Sequence, residues 1–193
     1  MTKETTKTRI LTEGAQIVHR KGFSNTGIQE ILQAAGVPKG SFYFYFKSKE
    51  EFGLALIDFY FGMFAQKMEV LRSSELTPLK RLREFFHSFL SFFEQRCFTV
   101  GCPIGTLTQE MGSLGEAFQP RLKKAFERMR AGIGTCLEEA KAAGELDESV
   151  DPYEMADFVV NSWEGALLRM KAEKSPDPLL LFDRVVFDQV LKR

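Results

Sequence analysis

Gly36-Val37-Pro38-Lys39-Gly40-Ser41-Phe42-Tyr43-Phe44-Tyr45-Phe46-Lys47-Ser48-Lys49-Glu50-Glu51-Phe52 is the stretch that decides the fold. Gly36 supplies the freedom at positive φ that a tight turn between two helices needs. Pro38 stands where a first helical turn needs no amide donor, so a short helix opens at Val37-Pro38 and closes over Phe46-Lys47-Ser48. Phe42 and Phe46 lie four apart on one face, which turns inward on an earlier helix. Lys39, Ser41 and Tyr43 lie on the opposite, outward face. Ser48, with Glu51 three residues on, marks the start of the next helix.

Upstream, the spacing predicts a helix from about Thr6 to Lys21 that buries Ile10, Leu11, Gly14, Ile17 and Val18 and stops at Gly22. After a short connection, residues 23–26, a second helix starts near Gly27, with Glu30 in the capping-box position, and ends before Gly36, burying Ile28, Ile31 and Leu32. Two short helices joined by Ala35-Gly36-Val37, the second basic and aromatic, have the layout of a helix-turn-helix, whose second helix enters a DNA major groove. A competing reading makes Tyr43, Phe44 and Tyr45 core aromatics of a small bundle.

Downstream, a long helix 4 is expected from Ser48 to about Leu71. Helices then follow from Thr77-Pro78 to about Cys97, over a short piece after Gly101 to Pro103, from about Gly115 to Ala143, from Pro152 to before Ser175, and from about Leu179 to Lys192. No alternating strand pattern bounded by hairpin signals occurs, so the fold class is all-α with about nine helices. Residues 1–50 form a helix-turn-helix domain and residues 51–193 a helical effector-binding and dimerisation domain, packed directly through helix 4.

The 193 residues, 44% of them hydrophobic, suffice for a packed core. No apolar run approaches the roughly 20 residues of a membrane span, and the polar amino terminus is unlike a signal peptide, so a cytoplasmic protein with no membrane partner is expected. The net charge of zero hides an asymmetry. Residues 1–50 carry eight Lys/Arg against four Glu, a balance of +4, which leaves 18 basic against 22 acidic residues, −4, in the remainder. Three cysteines and two histidines offer neither a disulfide framework nor four clustered metal ligands, so no metal and no cofactor is expected.

Phenylalanines crowd the chain beyond residue 55. Phe85, Phe89, Phe92 and Phe93 stand at i, i+4, i+7 and i+8, and with Phe59, Met63, Met111, Phe118, Trp163 and Cys102 they are candidates to line a cavity for a small apolar effector. For any one of them taken alone ordinary core packing is the leading reading, and the cavity is a claim about the group. Cys102 precedes a short helix whose macrodipole favours the thiolate, which suits reaction with electrophiles, and Cys97 is the candidate resolving thiol. The alternative for Cys102 is a buried small hydrophobe. Cys136, in mid-helix, reads as packing.

The stretch Gly36–Phe52, with helix 1 and Gly22-Phe23, resembles the signature of the TetR family of transcriptional regulators, over about the first 55 residues. That resemblance implies that Lys39, Ser41 and Tyr43 meet bases or phosphates, that Tyr45 and Lys49 touch the backbone, and that Gly27 approaches a phosphate through its amide; Gly40, Phe44 and Lys47 are counted with them as DNA-binding residues. Phe44 stands where the family usually has histidine and so lacks that residue's hydrogen bond to a phosphate, while Gly14 and Val18 replace alanine and phenylalanine and are expected to loosen helix 1. The stretch Cys97–Leu107, together with Val37–Tyr43 and Ser48–Gly53, resembles the electrophile-sensing branch typified by the repressor of N-ethylmaleimide reductase, whose members react through a cysteine at the position of Cys102.

The expected function is a homodimeric repressor that holds a palindromic operator in double-stranded DNA and leaves it on a small apolar or electrophilic signal. On the last helix Leu180, Leu181, Val185, Phe187, Val190 and Leu191 offer apolar surface for the partner copy. Two alternatives are a helical interaction adaptor and a thiol-dependent enzyme; the enzyme is disfavoured because neither His19 nor His87 lies near a cysteine in sequence.

Overall fold

The computed structural model describes residues 3–111 and 116–192. Among them every regular element is helical: α1 (Lys3–Lys21), α2 (Ile28–Ala35), α3 (Gly40–Tyr45), α4 (Lys49–Met68), α5 (Pro78–His87), α6 (Leu90–Glu94), α7 (Pro103–Met111), α8 (Phe118–Ala142), α9 (Pro152–Glu173) and α10 (Asp177–Val185). A 3-10 turn, Glu69–Arg72, continues α4, and a π turn, Val186–Val190, continues α10. The all-helical fold expected from the sequence is the one observed. The predicted start of α8 near Gly115 lies outside the described residues.

One predicted helix, 78–97, is divided into α5 and α6. The Ser88 hydroxyl donates to the Phe85 carbonyl at 2.7 Å, a local bond that competes with the helical ladder, and the Phe89 amide turns to the Phe86 carbonyl. Helix starts follow their capping chemistry. Ser48 Oγ accepts the Glu51 amide at 3.1 Å while the Glu51 carboxylate accepts the Lys47 amide at 2.7 Å, closing the first turn of α4 from both ends. Asp151 Oδ1 accepts the amides of Tyr153 and Glu154 at the start of α9. α2 ends at Gly36 in the left-handed conformation, φ 61°, which returns the Gly36 and Val37 amides to the last carbonyls of the helix.

Contacts divide the chain into two compact units: residues 1–63 with 103–125, and residues 64–102 with 126–193. α7 and the first part of α8 therefore pack with the amino-terminal helices, and α4 contributes to both units.

In the first unit Ile10, Ile31, Phe42, Phe46, Phe52 and Leu56 are fully buried. Phe52 sits 5.8 Å from Phe42 and 5.3 Å from Phe46, ring centre to ring centre, and its ring tip reaches into the space where a side chain on Gly14 would stand. Gly14 thus admits the Phe52 ring against α1, and the expected loosening of that helix is replaced by close packing. Tyr60 Oη donates to the Ala15 carbonyl at 2.6 Å, and burial raises the pKa of its phenol.

In the second unit α9 buries Ala156, Val159, Val160, Trp163, Leu167 and Met170 at helical spacing. Arg83 on α5 donates Nε and Nη2 to the two oxygens of Asp183 on α10, at 3.0 and 2.6 Å, and Nη1 to Asp188 at 3.0 Å. His87 Nε2 lies 2.8 Å from the same Asp183 carboxylate. No helix among the described residues is long and apolar enough to cross a membrane.

Candidate nucleic-acid interface and effector site

α3 is a two-faced helix. Phe42 is buried, ringed by Phe46 and Phe52, whereas Tyr43 and Phe44 are 59% and 63% exposed. Lys39, Gly40 and Lys47 are exposed, and Ser41, Tyr45 and Lys49 are half-buried. The inward pair therefore anchors the helix and leaves an outward strip of lysine, hydroxyl and aromatic side chains, the composition that phosphates and base edges require. Tyr43, Phe44 and Tyr45 are not the buried core of a bundle. The ring of Phe44 packs edge-on against Tyr45, at 4.9 Å.

Gly27 is the amino-terminal cap of α2 in extended conformation. Its amide, expected to face a phosphate, here meets the Glu30 carboxylate. Glu30 is paired with Lys21 at 2.5 Å, and that hydrogen bond, with the Gly27 amide, holds its carboxyl below the ordinary glutamate range. Lys49 Nζ lies 4.7 Å over the Phe23 ring and donates to the Ser24 carbonyl at 3.3 Å.

The proposed effector residues fall into both units. Phe59, Met63, Met111 and Phe118 belong to the first. There Met111 and Phe118 are buried, Phe118 at 6.4 Å edge-on to Phe23, while Phe59 is half-buried beside Tyr60 and Met63 is 53% exposed. In the second unit Phe85, Phe89 and Phe93 follow one another at 5.3 and 6.3 Å, and Phe89 reaches Trp163 at 6.0 Å. Phe92 packs edge-on against Phe93 at 5.4 Å, at the outer end of this row; its ring is half-buried and carries the Arg96 guanidinium at 3.8 Å. Phe64, Phe86 and Phe182 join the cluster: Phe64 is 5.6 Å from Phe85, and Phe86 lies 4.8 Å from Trp163 and 5.0 Å from Phe182. Their apolar neighbours in sequence are so numerous that helical spacing alone does not single them out.

Cys102 directly precedes α7 and is half-buried; Cys97 is exposed, and with Phe98 it forms a turn at positive φ, 50° and 55°. None of the three cysteines is joined in a disulfide. Cys102 hydrogen-bonds Glu164 on α9, a group the sequence reading missed. Burial raises the Glu164 carboxyl above the ordinary range, and the thiol contact opposes that shift. Its only signal in sequence is an acid beside the buried Trp163. Cys136 is buried against the Pro78 carbonyl, and burial pushes its thiol up to about 11, in keeping with a packing role. No group of three or more candidate metal ligands occurs among the described residues.

Residues 10–56 match the family described as bacterial regulatory proteins, tetR family, and residues 78–186 match the tetracyclin repressor-like, C-terminal domain. The chain is 41% identical over 176 residues to the transcriptional regulator AcuR of Cereibacter sphaeroides, covering 91% of this chain and 80% of that protein. It is 31% identical over 179 residues to the HTH-type transcriptional repressor NemR of Escherichia coli, covering 92% and 90%. The crystal structure of reduced NemR superposes with a TM-score of 0.85 at 30% identity, over 95% of this chain and 97% of that one. A regulatory protein TetR from Rhodobacter sphaeroides superposes with a TM-score of 0.89 at 40% identity, over 94% and 96%. These relatives are regulators, not enzymes, which removes the thiol-dependent enzyme from consideration. The outward face of α3, the turn at Gly36 and the two matched regions agree: this chain belongs to the TetR family and is a DNA-binding transcriptional regulator.

Proposed function

We propose that the protein is a dimeric repressor that reads a palindromic operator through Lys39, Gly40, Ser41, Tyr43, Phe44, Tyr45, Lys47 and Lys49, and is released by a small apolar or electrophilic effector. The observation that carries the reading is the exposure of Tyr43 and Phe44 on a helix whose other face is locked in the core. Two large aromatic rings left in water beside three lysines suit a nucleic-acid surface better than any internal role. Dimerisation is supported by Phe158 and Leu168 on α9 and Leu180 and Leu181 on α10, all exposed. Phe187 and Leu191, two of the six residues expected to face a partner, are instead buried within the chain.

Release is assigned to the second unit, where the row Phe85, Phe89, Phe93 and Trp163 supplies apolar surface and Cys102 a nucleophile beside the Glu164 carboxyl. Similarity to NemR, solved in a form described as reduced, favours a thiol signal. Cys97, exposed in its turn, is the candidate resolving partner. The test is an electrophoretic mobility shift on DNA from its own upstream region, with and without N-ethylmaleimide. The reading predicts a 5–150-fold loss of affinity on alkylation, corresponding to about 1–3 kcal/mol of coupling, and no loss in Cys102→Ser. Equal loss in Cys102→Ser overturns the sensing assignment, and no DNA binding at low salt overturns the repressor.

A further inference from the structure

The last turn of α7 grips the connection between α1 and α2. Glu110 Oε2 accepts the Ser24 amide at 2.9 Å, and the carboxylate lies against Gly22, so that a Cβ there would collide with Oε1. Gly22 is at φ 87°, a conformation that itself favours glycine. The next residue of α7, Met111, is fully buried beside Phe23, within reach of Gly53 on α4.

The Ser24 peptide is held from two sides. Its N–H meets the Glu110 carboxylate, and its C=O accepts Lys49 Nζ at 3.3 Å. Burial lowers the Lys49 pKa, the charge of Glu110 raises it and that of Lys21 lowers it further, so the ammonium has an anionic neighbour on α7 and a cationic one on α1. The remaining turn is tied by Thr26 Oγ1 to the Gly22 carbonyl at 2.7 Å and by the Asn25 side chain to the Lys21 carbonyl at 3.1 Å. Four residues beyond Ser24 α2 begins, and Lys49 opens α4. The connection therefore sets where α2 starts and where a lysine of the DNA-facing surface points.

We propose that Glu110 is a positioning residue for operator binding, the group by which α7 fixes the Gly22–Ser24 corner and the Lys49 ammonium in the arrangement the DNA-facing surface needs. The proposal rests on the reading of α3 and Lys49 as that surface. It makes a prediction whose sign separates it from simple electrostatics. A carboxylate near DNA repels phosphate, so a residue acting by charge alone would tighten binding when neutralised. A residue acting by position weakens binding when its acceptor is lost and keeps it when the acceptor is kept.

The experiment compares wild type, Glu110→Ala, Glu110→Gln and Lys39→Ala on a duplex recovered by selection from random sequence, with amide hydrogen exchange read at Ser24. The expected result is about tenfold weaker binding for Glu110→Ala, the effect of a lost charge-assisted hydrogen bond, with fast Ser24 exchange. Glu110→Gln stays within about threefold of wild type with Ser24 still protected, because its amide oxygen accepts the same N–H. Binding by Glu110→Ala equal to or tighter than wild type overturns the proposal, as does Glu110→Gln as weak as Glu110→Ala. Lys39→Ala judges the DNA surface separately: if it binds as wild type, the reading of α3 fails whatever the Glu110 variants do.

Discussion

Gly36 carries two demands that no other residue type meets together. Its φ of 61° lies in the left-handed region, and a Cβ there would stand 3.0 Å from Arg9 Nη2, whose guanidinium caps the Ala35 carbonyl. Gly36→Ala is expected to destabilise the protein by about 1 kcal/mol through the strained backbone. Displacement of Arg9 adds to that. A urea titration reads this as a lower midpoint with unchanged slope, and an unchanged midpoint would contradict the account. Tyr43 and Phe44 pose the opposite question, since their exposure forgoes the favourable burial that their buried neighbour Phe42 enjoys. Under the proposed reading, contact with DNA offsets that loss.

At the scale of elements, the junction of α5 with α10 has a pH dependence whose sign is fixed by Asp183. Burial pushes its carboxyl up, but the hydrogen bonds from Arg83 and His87 outweigh this and leave it below the ordinary aspartate range. A group depressed in the folded state contributes stability above its unfolded pKa of about 3.9 and loses it as pH falls through the lower folded value. Asp183→Asn is therefore expected to lower Tm at pH 7, and the gap to wild type should close as pH drops below about 4. A gap that stays constant across that range would show that Asp183 acts by packing alone.

The elements also show what the sequence makes legible. α2, the turn, α3 and the start of α4 announce themselves because each boundary carries its own chemistry: Gly36 in its left-handed conformation, Ser48 with Glu51 at the cap. The interruption at Ser88 does not, because a serine in a helical pattern leaves no mark until its hydroxyl finds the Phe85 carbonyl. That break puts Phe85 on α5 and Phe92 and Phe93 on α6, with Phe89 at the junction, where the expected single helix would have carried all four. Glu110 and Glu164 stayed invisible for another reason. Each owes its role to a partner far away in sequence, Ser24 and Cys102, and an acid on an amphipathic helix looks the same whether it faces water or a backbone amide.

For the whole molecule, the proposed reading is that DNA is read by the strip from Lys39 to Lys49 and that two copies read it together. Doubling the module across a two-fold axis places the reading helices on half-sites about 34 Å apart, one turn of the duplex. Salt acts on every phosphate contact, so each lysine lost from the strip should lower the slope of log affinity against log salt by about one unit. The direct measurement is selection of bound duplexes from a random pool by the purified protein, repeated with Lys39→Ala and Tyr43→Ala. The account predicts enrichment of an inverted repeat by wild type, with weaker and less selective binding by both variants. Recovery of no common sequence, or of the same sequences with the same affinity by all three proteins, would contradict it.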